Sequence, residues 1–394
     1  MDFYMLNNLG TNNEQKPPKQ LNKKKLVKII IAIIIILLII AMVILYFKNI
    51  RFRNFFDIYI FRKEVYENNL DTISLNEEDN NYSYAFDKNI AVLCKNELSI
   101  YNSSAKKEHS LNVEITNPIF CANNKFLGIA ENKGQKIYLI SENNILWQKN
   151  MEGDIINITV NKNGYVSVIV INTSYKSEVT VFDNNGNKLM TYYLATSYAI
   201  DSSISEDNKY LAIAEANFSG TLIQSNIEII FMESKTQEYN YEAESNELII
   251  NIEYQEKDKL VCMYDDSIHI IQNNSDTEFM KYDSKNILFL DINLNSNIAQ
   301  IEKISSGLFN SNSSIKFTST INNSSNTYEL GGIPKTICSY KDVTAVNLGV
   351  EAIFVKTNGW LSKRYKSNQE IQNIILTNSI AGIVYKNKIE IVKL

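Results

Sequence analysis

The sequence predicts an all-β chain, an eight-bladed β-propeller behind one N-terminal transmembrane helix, and three observations predict it. A strand motif recurs at fixed spacing, each copy has companion strands joined by turn residues, and the copies close on themselves. The motif is clearest in SEDNKYLAIAE, where a polar turn leads through Tyr210 into Leu211, Ala212 and Ile213. Its core restarts at Ile90, Phe126, Tyr165, Tyr210, Leu260, Ile298, Val343 and Ile380. From Ile90 to Ile380 is 290 residues in seven steps, about 41 per repeat, the length of a four-stranded blade.

Each copy carries what a blade needs. An apolar strand precedes it, as in IINITV (155–160) or LIINIEY (248–254), and another follows, as at 179–182 and 227–231. Turns such as Asp183-Asn184-Asn185-Gly186-Asn187 suit the positive-φ positions of tight hairpins. The third motif position is usually small (Gly128, Ser167, Ala212, Cys262, Ala345, Gly382), which lets neighbouring blades approach closely near the axis. The eighth copy supplies strands at 371–376, 380–385 and 389–394. Its missing outer strand is available at 70–75, LDTISL. One N-terminal strand beside three C-terminal ones would remove the open sheet edge, so residues 70–394 are expected to form one closed domain. Seven blades is the fallback count.

Ahead of the propeller, residues 1–28 read as a polar tail, with Asn, Gln and Pro17-Pro18, expected to be disordered on the cytoplasmic side. Residues 29–47 contain no charge for 19 positions, enough to cross the hydrocarbon core of a bilayer. The run is longer than a signal peptide's apolar region and no small-residue cleavage site follows it, so an uncleaved anchor is expected. Six lysines precede the span and five basic residues follow it. The tight Lys23–Lys28 cluster favours a cytoplasmic N-terminus with the propeller outside. Residues 48–69 form a juxtamembrane linker in which Phe52, Phe55, Phe56 and Tyr59 fall at helical spacing. They read either as an interfacial helix or as a continuation of the anchor helix.

These features together resemble an uncharacterised Firmicutes family of single-pass membrane proteins with a C-terminal propeller. The residues that carry the resemblance are the anchor, DNKYLAIA (207–214) and VTVFDNNG (179–186). More loosely the blades resemble WD40-like and quinoprotein-like propellers. The Gly-His and Trp-Asp signature of WD40 blades is missing, and Trp147 and Trp360 are the only tryptophans. The resemblance implies a fold and leaves the activity open.

Composition narrows the chemistry. A net charge of −5 offers no global basic field for nucleic acid. Cys94, Cys121, Cys262 and Cys338 are far apart and read as small apolar side chains rather than a disulfide framework or zinc site. His269 falls inside an alternating strand, where a structural role is the plainer reading. No serine elbow, zinc helix, phosphate loop or calcium loop is present, so no catalytic residue, cofactor or metal is expected. The inner strands offer only Cys121, Ser203, Tyr254 and Asp291 as a catalytic set.

Loop length supplies the remaining signal. Most links between second and third strands are short, but blade four has 216–224 (ANFSGTLIQ) and blade six has 303–313, with a milder extension at 172–177 in blade three. Phe218, Leu222, Leu308 and Phe309 are therefore the candidate partner-binding residues, apolar side chains on one propeller face. The alternative is that they fold back onto the blades. The chain is accordingly expected to be a non-enzymatic, membrane-tethered scaffold or sensor at the cell envelope with a protein or peptide partner. The competing class is a propeller hydrolase or dehydrogenase with a site at the axis, which would gather ionisable residues at one end of the inner strands.

Overall fold

The computed structural model describes residues 23–61, 63–67, 70–304, 312–377 and 379–394. Two compact units emerge, Met1–Arg62 and Lys63–Leu394.

In the first unit, the helix Lys23–Lys48 carries the uncharged run, and its apolar side chains point outward along the whole length. It is long and apolar enough to cross a membrane. Asn49 interrupts it, and its side-chain oxygen accepts the Phe52 N–H at 3.1 Å, capping a new helix Ile50–Phe55. A π-helical turn, Phe56–Ile60, follows. The Tyr46 hydroxyl donates to Asp57 Oδ1 at 2.8 Å, eleven residues on. A straight helix would hold those positions about 16 Å apart, so the chain folds back on the end of the long helix. The aromatic residues then pack among themselves, Phe52 on Phe56 at 4.7 Å and Phe55 on Tyr59 at 5.2 Å.

In the second unit, eight antiparallel sheets run from an inner to an outer strand, each built around one copy of the repeat. Blade four shows the pattern: Tyr198–Ile204 innermost, then Tyr210–Asn217, Gln224–Phe231 and Thr236–Glu242. The expected closure is present. Asp71–Ser74 pairs antiparallel with Lys388–Lys393, Ile73 opposite Ile389, and so completes blade eight. Hairpin turns between first and second strands place Asn124, Asn208 and Lys341 at positive φ, and Gly186 takes φ +81° in the turn that carries it.

The core is a ring of seams rather than one centre. Each buried cluster joins two successive blades, and the last, with Ile73, Ile389 and Ile391 facing Ala85, Ile90 and Val92, joins blade eight to blade one. A small third residue matters at such a seam. A Cβ on Gly128 would lie 2.8 Å from Ile158 Cδ1 and Val160 Cγ2 of the next blade. Gly382 is small for a different reason, because its Cβ would meet Ile375 and Ile389 of its own blade. The thinnest seam is between blades five and six, where Val261, Ile268, Ile292 and Ile298 are the buried apolar residues. Gln255 reinforces it, donating to the carbonyls of Ile292 at 2.9 Å and Asn297 at 3.1 Å.

One strand belongs to no repeat. Glu64–Tyr66 lies parallel to Leu361–Lys366 and adds a fifth strand to blade seven. Glu67 anchors this strap: its carboxylate accepts from Lys388 Nζ at 3.0 Å, Ser367 Oγ at 3.0 Å and the Asn368 N–H at 2.7 Å. Burial opposes that charge, but these donors outweigh it and hold the carboxyl at about 2.

Candidate functional site

The two propeller faces differ in chemistry. Links between second and third strands emerge beside the start of each inner strand, as the pairing of Tyr198 with Ala216 shows. Phe218 and Leu222 stand on that face, in the blade-four loop, and are 50% and 46% exposed. Asn217 shapes the loop, its side-chain oxygen accepting the Ser219 N–H at 2.9 Å and hydroxyl at 2.6 Å. Leu308 and Phe309 lie outside the described residues.

Blade three and the inner strand of blade four contribute the companions instead. The exposed rings of Tyr175 and Tyr193 are 4.6 Å apart, and Tyr198 lies 6.4 Å from Phe218. Lys176 sits 5.1 Å over the Tyr198 ring and donates to its hydroxyl at 3.2 Å. Four aromatic rings and Leu222 thus gather at one rim of the face. Of these, Tyr175, Tyr193 and Tyr198 were not singled out by sequence reasoning. The signal was the mild loop extension at 172–177, which holds Tyr175.

The opposite face receives the axial cavity, about 600 Å³, lined by the ends of the inner strands of blades two to seven and by Tyr84 of blade one. Cys121, Ser203, Tyr254 and Asp291 all line it, so the sparse set read from the sequence does converge. Three carboxylates that sequence reasoning missed join them, Asp201, Glu253 and Glu206, the last paired with Lys162. The signal was legible as alternation. Inner strands turn every second residue to the axis, and those positions read Asn157-Thr159-Asn161, Asp201-Ser203, Asn251-Glu253-Gln255 and Asp291-Asn293-Asn295.

The carboxylates have unlike surroundings. Asp201 is saturated: it accepts from Asn157 Nδ2 at 2.9 Å, Asn251 Nδ2 at 2.8 Å, and the N–H groups of Ser202 and Ile252 at 2.9 and 3.0 Å. It straps blades three, four and five together. Burial pushes it up to about 6, against the pull of those donors. Among the described residues Glu253 accepts only the Ser203 hydroxyl, at 3.4 Å. Burial, then the charges of Asp201 and Asp291, push it up to about 8. Burial also pushes the Cys121 and Cys338 thiols up to about 12, which leaves them protonated and poor nucleophiles at neutral pH. His269 lies elsewhere, in blade five, with Nδ1 at 3.1 Å from Asp276 and its ring stacked 4.3 Å from Tyr264.

Fold and faces together define a closed eight-bladed propeller with a polar axial cavity and an aromatic rim, preceded by an apolar helix. The chain belongs to a family of unknown function, DUF5711, whose pattern it matches over residues 61–394. Among solved structures it is similar to BamB from Moraxella catarrhalis, at 10% identity and a TM-score of 0.51, covering 82% of this chain and 98% of that one. It is also similar to Chaetomium thermophilum Sqt1 bound to the N-terminus of ribosomal protein L10. There the identity is 10%, the TM-score 0.52, and the coverage 82% of this chain and 100% of the other. At that identity the likeness shows the propeller fold alone. No curated protein matches the sequence.

Proposed function

We propose that this chain is a membrane-anchored, extracytoplasmic propeller that works as a protein-interaction scaffold or sensor at the cell envelope, without catalysis of its own. The observation that carries the reading is the rim of Tyr175, Tyr193, Tyr198, Phe218 and Leu222. Exposed aromatic rings grouped at one place supply contact area at low entropic cost and dominate interface energies. The Sqt1 propeller, seen with a terminal segment of another protein, is an instance of the same architecture in that role. Phe218→Ser with Leu222→Ser should cut recovery of a partner cross-linked in intact cells by more than about tenfold, since one buried aromatic anchor is worth about 2 kcal/mol. The melting temperature should stay where it is, because both side chains already face solvent. Unchanged recovery would remove the binding role, and a large fall in melting temperature would mean the residues serve the fold.

The location has its own test. Asn185 is exposed in a turn of blade three. In a chain whose native cysteines are replaced, Asn185→Cys should react with a membrane-impermeant thiol reagent on intact protoplasts. Labelling only after lysis would place the propeller in the cytoplasm.

An axial enzyme remains the second reading, favoured by one observation: Asp201 and Glu253 are two carboxyls with their proton affinities pushed apart, the pattern of acid–base pairs. Against it, Asp201 is saturated by structural hydrogen bonds and the cavity's thiols are held protonated.

A further inference from the structure

We propose that the axial cavity is a binding site for an organic cation, a primary ammonium or guanidinium group, held by Glu253 and Asp291. The inference is independent of the aromatic rim, which lies on the other face.

Two separate observations carry it. The first is charge without a counter-charge. Among the described residues the cavity's only basic side chains are Lys162 and Lys341, both at the hairpin-turn end and both engaged. Lys162 pairs with Glu206 at 2.5 Å, while Lys341 lies 5.4 Å over the Tyr340 ring and 3.4 Å from Asn124 Oδ1. The second is the state of Glu253. It is half-buried, open to the cavity it faces, and among the described residues it is bonded only by Ser203, at 3.4 Å and through one of its two oxygens. A half-buried carboxyl facing a cavity with that little support has acceptor capacity left for a ligand. Asp201, in the same wall, shows what full support looks like.

The other walls fit a cation. Asp291 lines the cavity and uses one oxygen for the Asn293 N–H and side-chain amide, at 2.9 and 3.0 Å. Tyr84 reaches in from blade one near enough to feel the charge of Asp291, and its ring is stacked on Phe120 at 5.4 Å. An aromatic ring near a carboxylate is a common element of receptors for ammonium and guanidinium groups. The amides of Asn251 and Asn293 offer further acceptor oxygens.

Proton linkage gives the site a signature. A bound cation stabilises ionised Glu253, so below about pH 8 binding must expel its proton. The charged groups that face Glu253 are Asp201 and Glu206 from blade four and Asp291 from blade six, with the protonated thiol of Cys121 from blade two. All three acids lie on the side of raising its proton affinity.

The test is calorimetry on the full chain in detergent, with agmatine as a free probe and a short arginine-containing peptide as a second arm. Agmatine should bind with release of close to one proton at pH 7, and its affinity should rise about tenfold per unit up to about pH 8 and then level. Glu253→Gln, which keeps shape and removes the charge, should weaken binding about tenfold or more and abolish the proton release. Binding of the peptide but not of agmatine would keep the cation site and identify its source as a partner's side chain. No heat with either probe at millimolar concentration, or equal binding by a folded Glu253→Gln variant, would overturn the proposal.

Discussion

Deletion of residues 389–394 should abolish cooperative unfolding of the propeller. Strand Lys388–Lys393 lies between Ile380–Val384 and Asp71–Ser74, so the deletion strips hydrogen-bond partners from both neighbours at once. It also removes Ile389, Ile391 and Val392, each 1% exposed or less. Burying such a side chain is worth about 2 kcal/mol. A whole domain is stable by only about 5–15 kcal/mol. Ile389 and Ile391 belong to the seam with blade one, whereas Val392 belongs to the seam with blade seven. Both sides of blade eight therefore open, leaving unpaired edges that favour aggregation. Thermal unfolding followed by circular dichroism and light scattering reads the outcome. A truncated chain that melts cooperatively at the parent temperature would refute the composite blade.

The second large effect is expected from Lys388→Met, about 3 kcal/mol of lost stability in denaturant unfolding at neutral pH. Lys388 Nζ lies 2.7 Å from Glu390 Oε1 and 3.0 Å from Glu67 Oε1, and the Glu390 side chain is fully buried. Tyr365 donates to Glu390 at 2.9 Å and exchanges a 2.6 Å hydrogen bond with Tyr385, which donates to Ser367 at 2.9 Å. Removing the ammonium leaves buried carboxylates without that partner. The double change Lys388→Met with Glu390→Leu should recover much of the loss, since an apolar pair replaces a buried ionic one at little net cost. Lys393→Met is the control. It breaks only an exposed pair with Asp71, 3.4 Å apart, and should cost about 0.5 kcal/mol or less.

The same network sets an acid sensitivity. Against burial, the Asn368 N–H, Lys388, Gln369 and Ser367 hold the Glu67 carboxyl at about 2 in the fold, well below its ordinary value of about 4.5. A lowered carboxyl adds stability above its unfolded value, and that stability drains away as pH falls from about 4.5 toward about 2. In Lys388→Met that acid limb should be shallower. An equal slope would mean that the backbone N–H of Asn368 and the Ser367 hydroxyl hold the strap unaided.

Much of this molecule was legible before folding because blades are local. A four-stranded meander is written in consecutive residues, so motif, alternation and turn chemistry recur in register, and the small residue at Gly128 could be read as a close approach. Blade closure was legible for a different reason: a count of strands left one missing at the end and one spare at the beginning. The strap Glu64–Tyr66 had no such signal. Three residues carry no period, and their partner strand, Leu361–Lys366, lies about three hundred positions away. Gly382 has the small side chain expected of the repeat, but the atoms that require it belong to its own blade.

The sequence by itself determined the eight blades, the closing strand and the apolar helix, whereas the exposure of Phe218 and Leu222 in the blade-four loop was decided by the structure. Blades, closing strand and helix depend on neighbours in the chain, where periodicity is a direct record of which side chains face inward. The tertiary structure alone decided which polar residues share a space. Asp201, Glu253 and Asp291 come from three different blades, and only ring closure turns them toward one axis. It also decided their chemistry. Asp201 is surrounded by amide and backbone donors while Glu253 has one distant hydroxyl, and no reading of residue types along a strand contains that difference, because burial and hydrogen bonding are properties of the assembled ring.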